Sequence, residues 1–293
     1  IWPIPEMPAP AGSLPGEYYA PTQPTPTRPP AYDVQGVTED ALIDFTPELR
    51  TEAVKLIANY RTGGTVFEPP SEFDPDGTWG TIIAPSMTGG TNWPGGCHDP
   101  ETGLVYVYSK SEAQLLMLRP SIESDKTEFP YVQDFDGEDT VSREGFSPGK
   151  ITVQGLPLLK PPYGRLTAID LKDGSIAWQV AHGETPDAIR NHPALEGLEI
   201  PRTGQAGQQL GPTVTKSLVI CGEAIFTTLP SGDQGAMLRA YDKATGEEVG
   251  AVEMPAPQAG AAMTYMLKGR QYIVLAIGRG HYEAEYVASR LSV

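Results

Sequence analysis

The run Leu166-Thr-Ala-Ile-Asp170-Leu-Lys-Asp-Gly174-Ser-Ile-Ala-Trp178 recurs 72 residues on, as Leu238-Arg-Ala-Tyr-Asp242-Lys-Ala-Thr-Gly246-Glu-Glu-Val-Gly250. A weaker copy, Asp99-Pro-Glu-Thr-Gly103-Leu-Val-Tyr-Val107, has its Asp 71 residues before Asp170. In each copy an Asp precedes a Gly by four positions. The carboxylate can accept backbone N–H bonds within the turn, and the Gly can supply positive φ, so two strands join as a hairpin. Self-similar strand–turn–strand units point to stacked blades. The copies diverge at the last strand, where Trp178 is replaced by Gly250 and Val107.

Short β-prone runs surround these units. The expected strands are Thr81–Ala84, Leu104–Tyr108, Arg165–Asp170, Ile176–Val180, Leu218–Cys221, Ala224–Thr228, Met237–Asp242, Ala262–Met266, Gln271–Ile277 and Tyr286–Leu291. Gly, Asp, Asn or Pro separates most of them. That cadence suits a sandwich, a barrel or a propeller, and the repetition favours the propeller.

Composition agrees with an all-β, loop-rich chain. Of 293 residues, 32 are Gly and 30 are Pro, while 39% are hydrophobic and recur in strand-like runs. Lys and Arg total 21 against 37 Asp and Glu, a net charge of −16. Such an acidic surface argues against a nucleic-acid or anionic-membrane partner. No apolar run reaches the ~18 residues of a transmembrane helix, and no secretory signal is visible. The first residues are Ile1-Trp2-Pro3, which suggests a processed product or part of something longer. Two cysteines, Cys97 and Cys221, are too few for a disulfide framework; they could pair, but across 124 positions the favoured reading is two separate, mostly buried thiols.

Residues 1–77 differ from 78–293. Ten prolines lie between Pro3 and Pro30, removing ladder donors and favouring an extended arm across a folded surface. A helix should follow. Thr46 can cap it, Pro47 suits its first position and Glu48 its first turn. Leu49, Ala53, Leu56, Ile57 and Tyr60 recur at helical spacing, and Gly63-Gly64 is the expected end.

The run Gly89-Gly-Thr-Asn-Trp-Pro-Gly-Gly96 sets four glycines around an amide and an indole. Backbone could approach a flat ligand closely there, with Asn92 and Trp93 presenting polar and aromatic groups. The plain alternative is a tight turn in a β protein. This run resembles a signature of the pyrroloquinoline quinone (PQQ) dehydrogenases. The segment Lys160 to Trp178 resembles a blade of that family, as do Gly211-Pro-Thr-Val-Thr and Leu238 to Gly246. Pro255-Ala-Pro-Gln-Ala-Gly-Ala-Ala-Met-Thr-Tyr265 and Gly269-Arg-Gln-Tyr-Ile-Val-Leu-Ala-Ile-Gly278 resemble its final blade. In the arm, Pro21-Thr-Gln-Pro24 and Phe67-Glu-Pro-Pro-Ser71 are also similar. The branch most resembled acts on glucose, polyols and cyclitols.

The resemblance implies that the chain is the C-terminal half of an eight-bladed β-propeller, contributing about four blades. It implies PQQ and Ca²⁺ as cofactors, a periplasmic location and an alcohol, polyol or sugar substrate. Electrons would pass to an external quinone or cytochrome acceptor, since no Cys-x-x-Cys-His haem site is present. Calcium ligands and the catalytic carboxylate lie in the family's first half, so a companion chain carrying the N-terminal blades is expected, and no catalytic or metal residue is assigned here. In the family reaction a carboxylate takes the hydroxyl proton while hydride leaves the carbinol carbon, and the cation polarises the quinone carbonyl.

By the same resemblance, the cofactor-binding residues are Asn92, Trp93, Gly211 and His281. Asn92 would bond a quinone carbonyl or cofactor carboxylate, unless it only caps its turn. Trp93 would wall the pocket or pack between blades. Leu210-Gly211 replaces the Trp-Gly frequent in the simple-alcohol branch, and Arg279 replaces a small residue. His281, in Gly278-Arg-Gly-His, would face the cofactor or be structural. Trp178 reads as blade packing, and His98, His182 and His192 lack metal-ligand spacing. Two other classes compete: a non-catalytic propeller scaffolding an outer-membrane assembly, and a sugar-binding propeller without redox chemistry.

Overall fold

The computed structural model describes residues 2–72, 74, 77–133, 151–208, 210–278 and 285–289. Strands dominate, with two α-helices, Pro47–Ile57 and Asp187–Arg190, among the described residues. The chain forms two compact units, residues 1–89 with 111–160, and residues 90–110 with 161–293. The compositional change at residue 77 lies inside the first unit.

In the first unit, the Pro-rich segment folds back on itself. Glu6–Pro8 pairs antiparallel with Thr22–Pro24. Proline lacks a donor but keeps its carbonyl. The ribbon uses that asymmetry: the amides of Ala9, Thr25 and Thr27 donate to the carbonyls of Pro21, Pro5 and Pro3 at 2.9–3.1 Å. Helix Pro47–Ile57 starts as expected, with Thr46 Oγ1 accepting from the Leu49 amide at 3.2 Å and Leu49, Ala53 and Ile57 buried. It stops at Ile57 rather than running on to Gly63. Tyr60 instead meets Trp79 edge-on at 5.9 Å, and the Arg61 amide donates to the Gly80 carbonyl at 2.9 Å. Strands Ser71–Glu72, Thr81–Ile83 and Tyr131–Gln133 pair with Gln114–Pro120.

The second unit is a stack of three sheets. The first sheet has Gly96–Asp99, Leu104–Lys110, Gly164–Asp170 and Ser175–Ala181 in sequence order, all antiparallel. The second runs Thr213–Val214, Leu218–Gly222, Gln234–Asp242, Glu248–Met254. The third joins Gln258–Leu267, Arg270–Ile277 and Glu285–Ser289, with Leu210–Gly211 parallel to its first strand. Thr227–Thr228 adds a short fifth strand to the second sheet beside Gln234–Asp242. These open sheets, built mainly of antiparallel neighbours, are the blades of a partial β-propeller.

The three Asp-to-Gly turns form as the repeat predicts. Gly103, Gly174 and Gly246 donate their amides to the carbonyls of Asp99, Asp170 and Asp242 at 2.8–2.9 Å. All three glycines have φ between 69° and 78°, which a side chain would strain. The Asp carboxylates accept from Glu101, Lys172 and Ala244 amides.

Period-two alternation then decides which side chains meet. Along the second sheet, Val219, Cys221 and Tyr241 face the first sheet, packing with Leu104, Tyr106, Tyr108, Leu166, Ala168 and Trp178. Ile220, Ala236, Leu238 and Met254 point the other way, onto Ile273, Leu275 and Ile277 of the third sheet. Burying each such aliphatic side chain contributes about 1.5–3 kcal/mol. On the first sheet, Tyr106, Ala168 and Trp178 lie side by side across three strands. The small Ala168 lets the flanking rings meet at 5.7 Å.

The expected strand Ala224–Thr228 shortens to Thr227–Thr228. The amides of Ala224 and Ile225 leave the ladder and donate to Gln205 Oε1, each at 3.2 Å.

Candidate functional site

Among the first strands of the three sheets, Thr213–Val214 adjoins both Gly96–Asp99 and Gln258–Leu267. The segments leading into them therefore converge within the second unit. One is the turn carrying Asn92 and Trp93. Thr91 Oγ1 donates to the Tyr108 carbonyl at 3.0 Å, and the Lys110 amide donates to the Gly90 carbonyl at 2.9 Å, tying the turn to the neighbouring strand. The Gly95 amide closes the turn on the Asn92 carbonyl at 2.8 Å, with Gly95 at φ 63°.

Asn92 is half-buried and its Oδ1 accepts from the Trp93 amide at 2.8 Å. It is thus a turn cap on its oxygen side. Among the described residues its amide NH₂ donates to no protein acceptor, so the same side chain keeps two donors for a ligand. The indole of Trp93 is 94% exposed, an uncovered flat face.

Gly211 meets this turn. A Cβ on Gly211 would lie 2.8 Å from Pro94 Cβ and 2.8 Å from Ala261 Cβ. Two positions 119 residues apart in sequence, Asn92 and Gly211, are thereby placed on contiguous backbone. Leu210, the departure from Trp, is buried in the contact between the first and second sheets. His281 and Arg279 lie outside the described residues.

Gln258 lies within the Pro255–Tyr265 run, where the resemblance assigns it no role, and its position proves central. It is 3% exposed, and its amide bonds Gly211, Gly222 and Gly260. A lone amide amid Pro, Ala and Gly residues was the available signal.

A second polar cluster lies between the first and second sheets. Glu223, fully buried, accepts from Arg239 Nε at 2.8 Å and from the Glu184 and Met237 amides at 2.7 and 3.0 Å. Arg239 also reaches Glu248 at 2.8 Å, which in turn holds Arg202 at 2.7 Å. His182 has no exposure, and its Nδ1 and Nε2 lie 2.9 Å from Tyr241 Oη and the Gly222 carbonyl. The carbonyl can only accept, so Nε2 carries the proton and Nδ1 accepts from the tyrosine. Burial is the main cause holding His182 down at about 4, reinforced by Arg239 and Arg202. With every group engaged, this cluster joins sheets and offers no open coordination.

Asp99 is also committed. Lys243 Nζ at 2.7 Å, then Thr102, hold its carboxyl down at about 2. The cysteines are free and separate, and burial pushes Cys97 up to about 12. Neither thiol is a nucleophile at neutral pH. Among the described residues no group of three His, Cys, Asp or Glu side chains is arranged to hold a metal ion, and no helix is long and apolar enough to cross a membrane.

Residues 1–273 match the β-propeller domain of the PQQ glucose/ethanol/alcohol dehydrogenases. The chain belongs to this family. It is 29% identical to a probable quinate dehydrogenase (quinone) of Xanthomonas campestris pv. juglandis, over 96% of this chain and 35% of that protein. It is also 29% identical to the glycerol dehydrogenase large subunit of Gluconobacter oxydans (strain 621H), over 100% of this chain and 39% of that one. The chain therefore spans little more than a third of these relatives. Among solved structures it resembles the quinohemoprotein alcohol dehydrogenase ADHIIG of Pseudomonas putida HK5, with TM-score 0.43 and 20% identity over 68% of this chain and 24% of that one. The donor set around Asn92 suits the family's cofactor: an unengaged amide for carbonyl or carboxylate oxygens, an open indole, and glycine backbone that leaves room for a flat ring.

Proposed function

We propose that the protein to which this chain contributes oxidises an alcohol, polyol or sugar hydroxyl with PQQ, in the periplasm. The observation that carries this reading is the Asn92 turn seated against Gly211, where three first strands converge, in a chain of the PQQ dehydrogenase family. PQQ supplies the two-electron redox chemistry when bound. Asn92 Nδ2 donates to one of its carbonyl or carboxylate oxygens, Trp93 covers part of its ring face, and Gly211 keeps that approach open. His281, outside the described residues, is carried as a further cofactor-binding candidate by the family resemblance alone. Electrons leave to an external quinone or cytochrome.

The substrate base and the Ca²⁺ ligands come from blades outside this chain. A companion segment carrying them completes the ring. Two observations support this. The relatives are far longer than the chain, and the outer face of the third sheet is apolar and, among the described residues, only partly covered. There Tyr265 stacks on Tyr272 at 5.2 Å, yet Tyr265 remains 39% and Met263 56% exposed. Denaturing electrophoresis of the native enzyme should show either a longer chain or a second band. A monodisperse, active protein of this chain's mass alone would refute the companion.

Dialysis against a chelator should abolish dye reduction by sugars or polyols, and PQQ with Ca²⁺ should restore it. Full activity without them would overturn the redox reading.

A further inference from the structure

Burying a side-chain amide is costly unless its donors and acceptor are all engaged. Gln258 is almost wholly buried, and all three are. Its Nε2 donates to the Gly211 carbonyl at 2.9 Å and to the Gly260 carbonyl at 2.7 Å. Its Oε1 accepts from the Gly222 amide at 2.6 Å. The reverse orientation of the amide would face oxygen to two carbonyls, so the network admits one arrangement. Its backbone amide donates to the Glu223 carbonyl at 3.0 Å.

Gly260 is set by its positive φ of 86°, with open space where a Cβ would sit, whereas Gly211 and Gly222 are glycines for a steric reason. A Cβ at Gly222 would come 2.7 Å from Gln258 Oε1, and a Cβ at Gly211 would strike Pro94. One side chain of the third sheet thus fixes the strand entry at Gly211, which in turn abuts Pro94, two residues beyond Asn92. Gly211 and Ala261 also face each other in a parallel pairing only two residues long. Such a short ladder is weak alone, and the Gln258 amide supplies its nearest fixed point.

We infer that Gln258 is a positioning residue for the quinone, holding Gly211 and the Asn92 turn at the spacing the ring requires. This rests on the site reading proposed above. Gln258 does not touch the ligand; it acts through Gly211 and Pro94.

The test uses the complete enzyme, depleted of cofactor and titrated with PQQ in the presence of Ca²⁺. Wild-type uptake is measured first. No uptake by wild type would refute the site reading and this inference with it. Gln258→Glu keeps the shape and the Gly222 bond but sets oxygen against the Gly211 and Gly260 carbonyls. Gln258→Met keeps volume and loses all three bonds. Each should weaken PQQ binding about tenfold or more, as loss of an outer-shell partner does, and should shift the absorption band of the bound quinone. Thermal unfolding of the cofactor-free variants is followed in parallel. Lowered melting with unchanged PQQ affinity and spectrum would mean a purely structural role and would overturn the inference. A readout independent of variant folding is amide exchange in wild type. Exchange at residues 90–96 and 258–261 should slow together when PQQ binds; protection confined to 90–96 would count against Gln258.

Discussion

The indole of Trp178, on the outer strand of the first sheet, lies against Gly246 in the last turn of the second. A Cβ on Gly246 would come 2.7 Å from the ring. The indole N–H donates to the Lys243 carbonyl at 3.1 Å, beside Tyr106 Oη at 3.0 Å on the same oxygen. Lys243 returns the contact by pairing with Asp99. A turn from one blade is thus clasped by three residues of the next. Gly246→Ala meets both a positive φ and the indole, and should cost roughly 1–3 kcal/mol. Trp178→Ala should cost about 3–5 kcal/mol. Urea unfolding of each variant and of the double variant checks this. The effects should be less than additive, because the residues touch.

The Arg239 guanidinium serves Glu223, which has no exposure, and Glu248. Arg239→Met leaves the buried carboxylate without its cation and should destabilise by about 3–5 kcal/mol. Adding Glu223→Gln should recover part of that loss. Equilibrium denaturation that finds the single variant within error of wild type would show that the pair is dispensable.

Acid should loosen the contact between the first and second sheets. His182 sits near 4 in the folded protein, below its usual 6.5, so protonation favours unfolding. Its share of stability is full above about pH 6.5 and falls toward pH 4, by roughly 3 kcal/mol over the window. Asp99, held near 2 from 3.8, extends the loss between pH 4 and 2. Urea midpoints across this range should fall with a slope that His182→Gln reduces between pH 6.5 and 4.

Asn92→Ala removes the amide proposed to bond the cofactor, together with the cap on the Trp93 amide, without altering the sheet ladders. Loss of one hydrogen bond to a charged group, about 1.5–3 kcal/mol, should weaken PQQ retention ten- to a hundredfold. Measured by filtration and absorbance, unchanged retention would exclude Asn92 from the site.

Gly211→Ala drives a methyl into Pro94 and should displace the Asn92 turn. PQQ affinity should drop about tenfold, with a stability cost of ~1–3 kcal/mol. If melting falls while affinity stays, the two positions are packed together but not functionally coupled.

Local chemistry determined much of this protein from sequence alone. Each Asp-to-Gly turn closes over five residues, so the hairpins at Gly103, Gly174 and Gly246 were legible directly. So was the helix start at Thr46-Pro47-Glu48, because a cap acts within one turn. The helix end was not: Tyr60 and Arg61 leave the helix for Trp79 and Gly80, a tertiary competition. The hairpin at Gly246 implies a following strand, but its extent to Met254 is not legible, because Glu248–Met254 is a largely exposed outer strand specified by its pairing with Gln234–Asp242. The shortened strand at Thr227 answers to Gln205, about twenty residues away. The same division runs through the site. The glycine run around Asn92 marks a place where backbone can approach a ligand, a property of residue type. That Gly211 abuts Pro94, and that Gln258 ties both sheets there, depends on three strand entries converging. Such contacts join residues 47 to 117 positions apart, and only the stacking of sheets brings their atoms within reach.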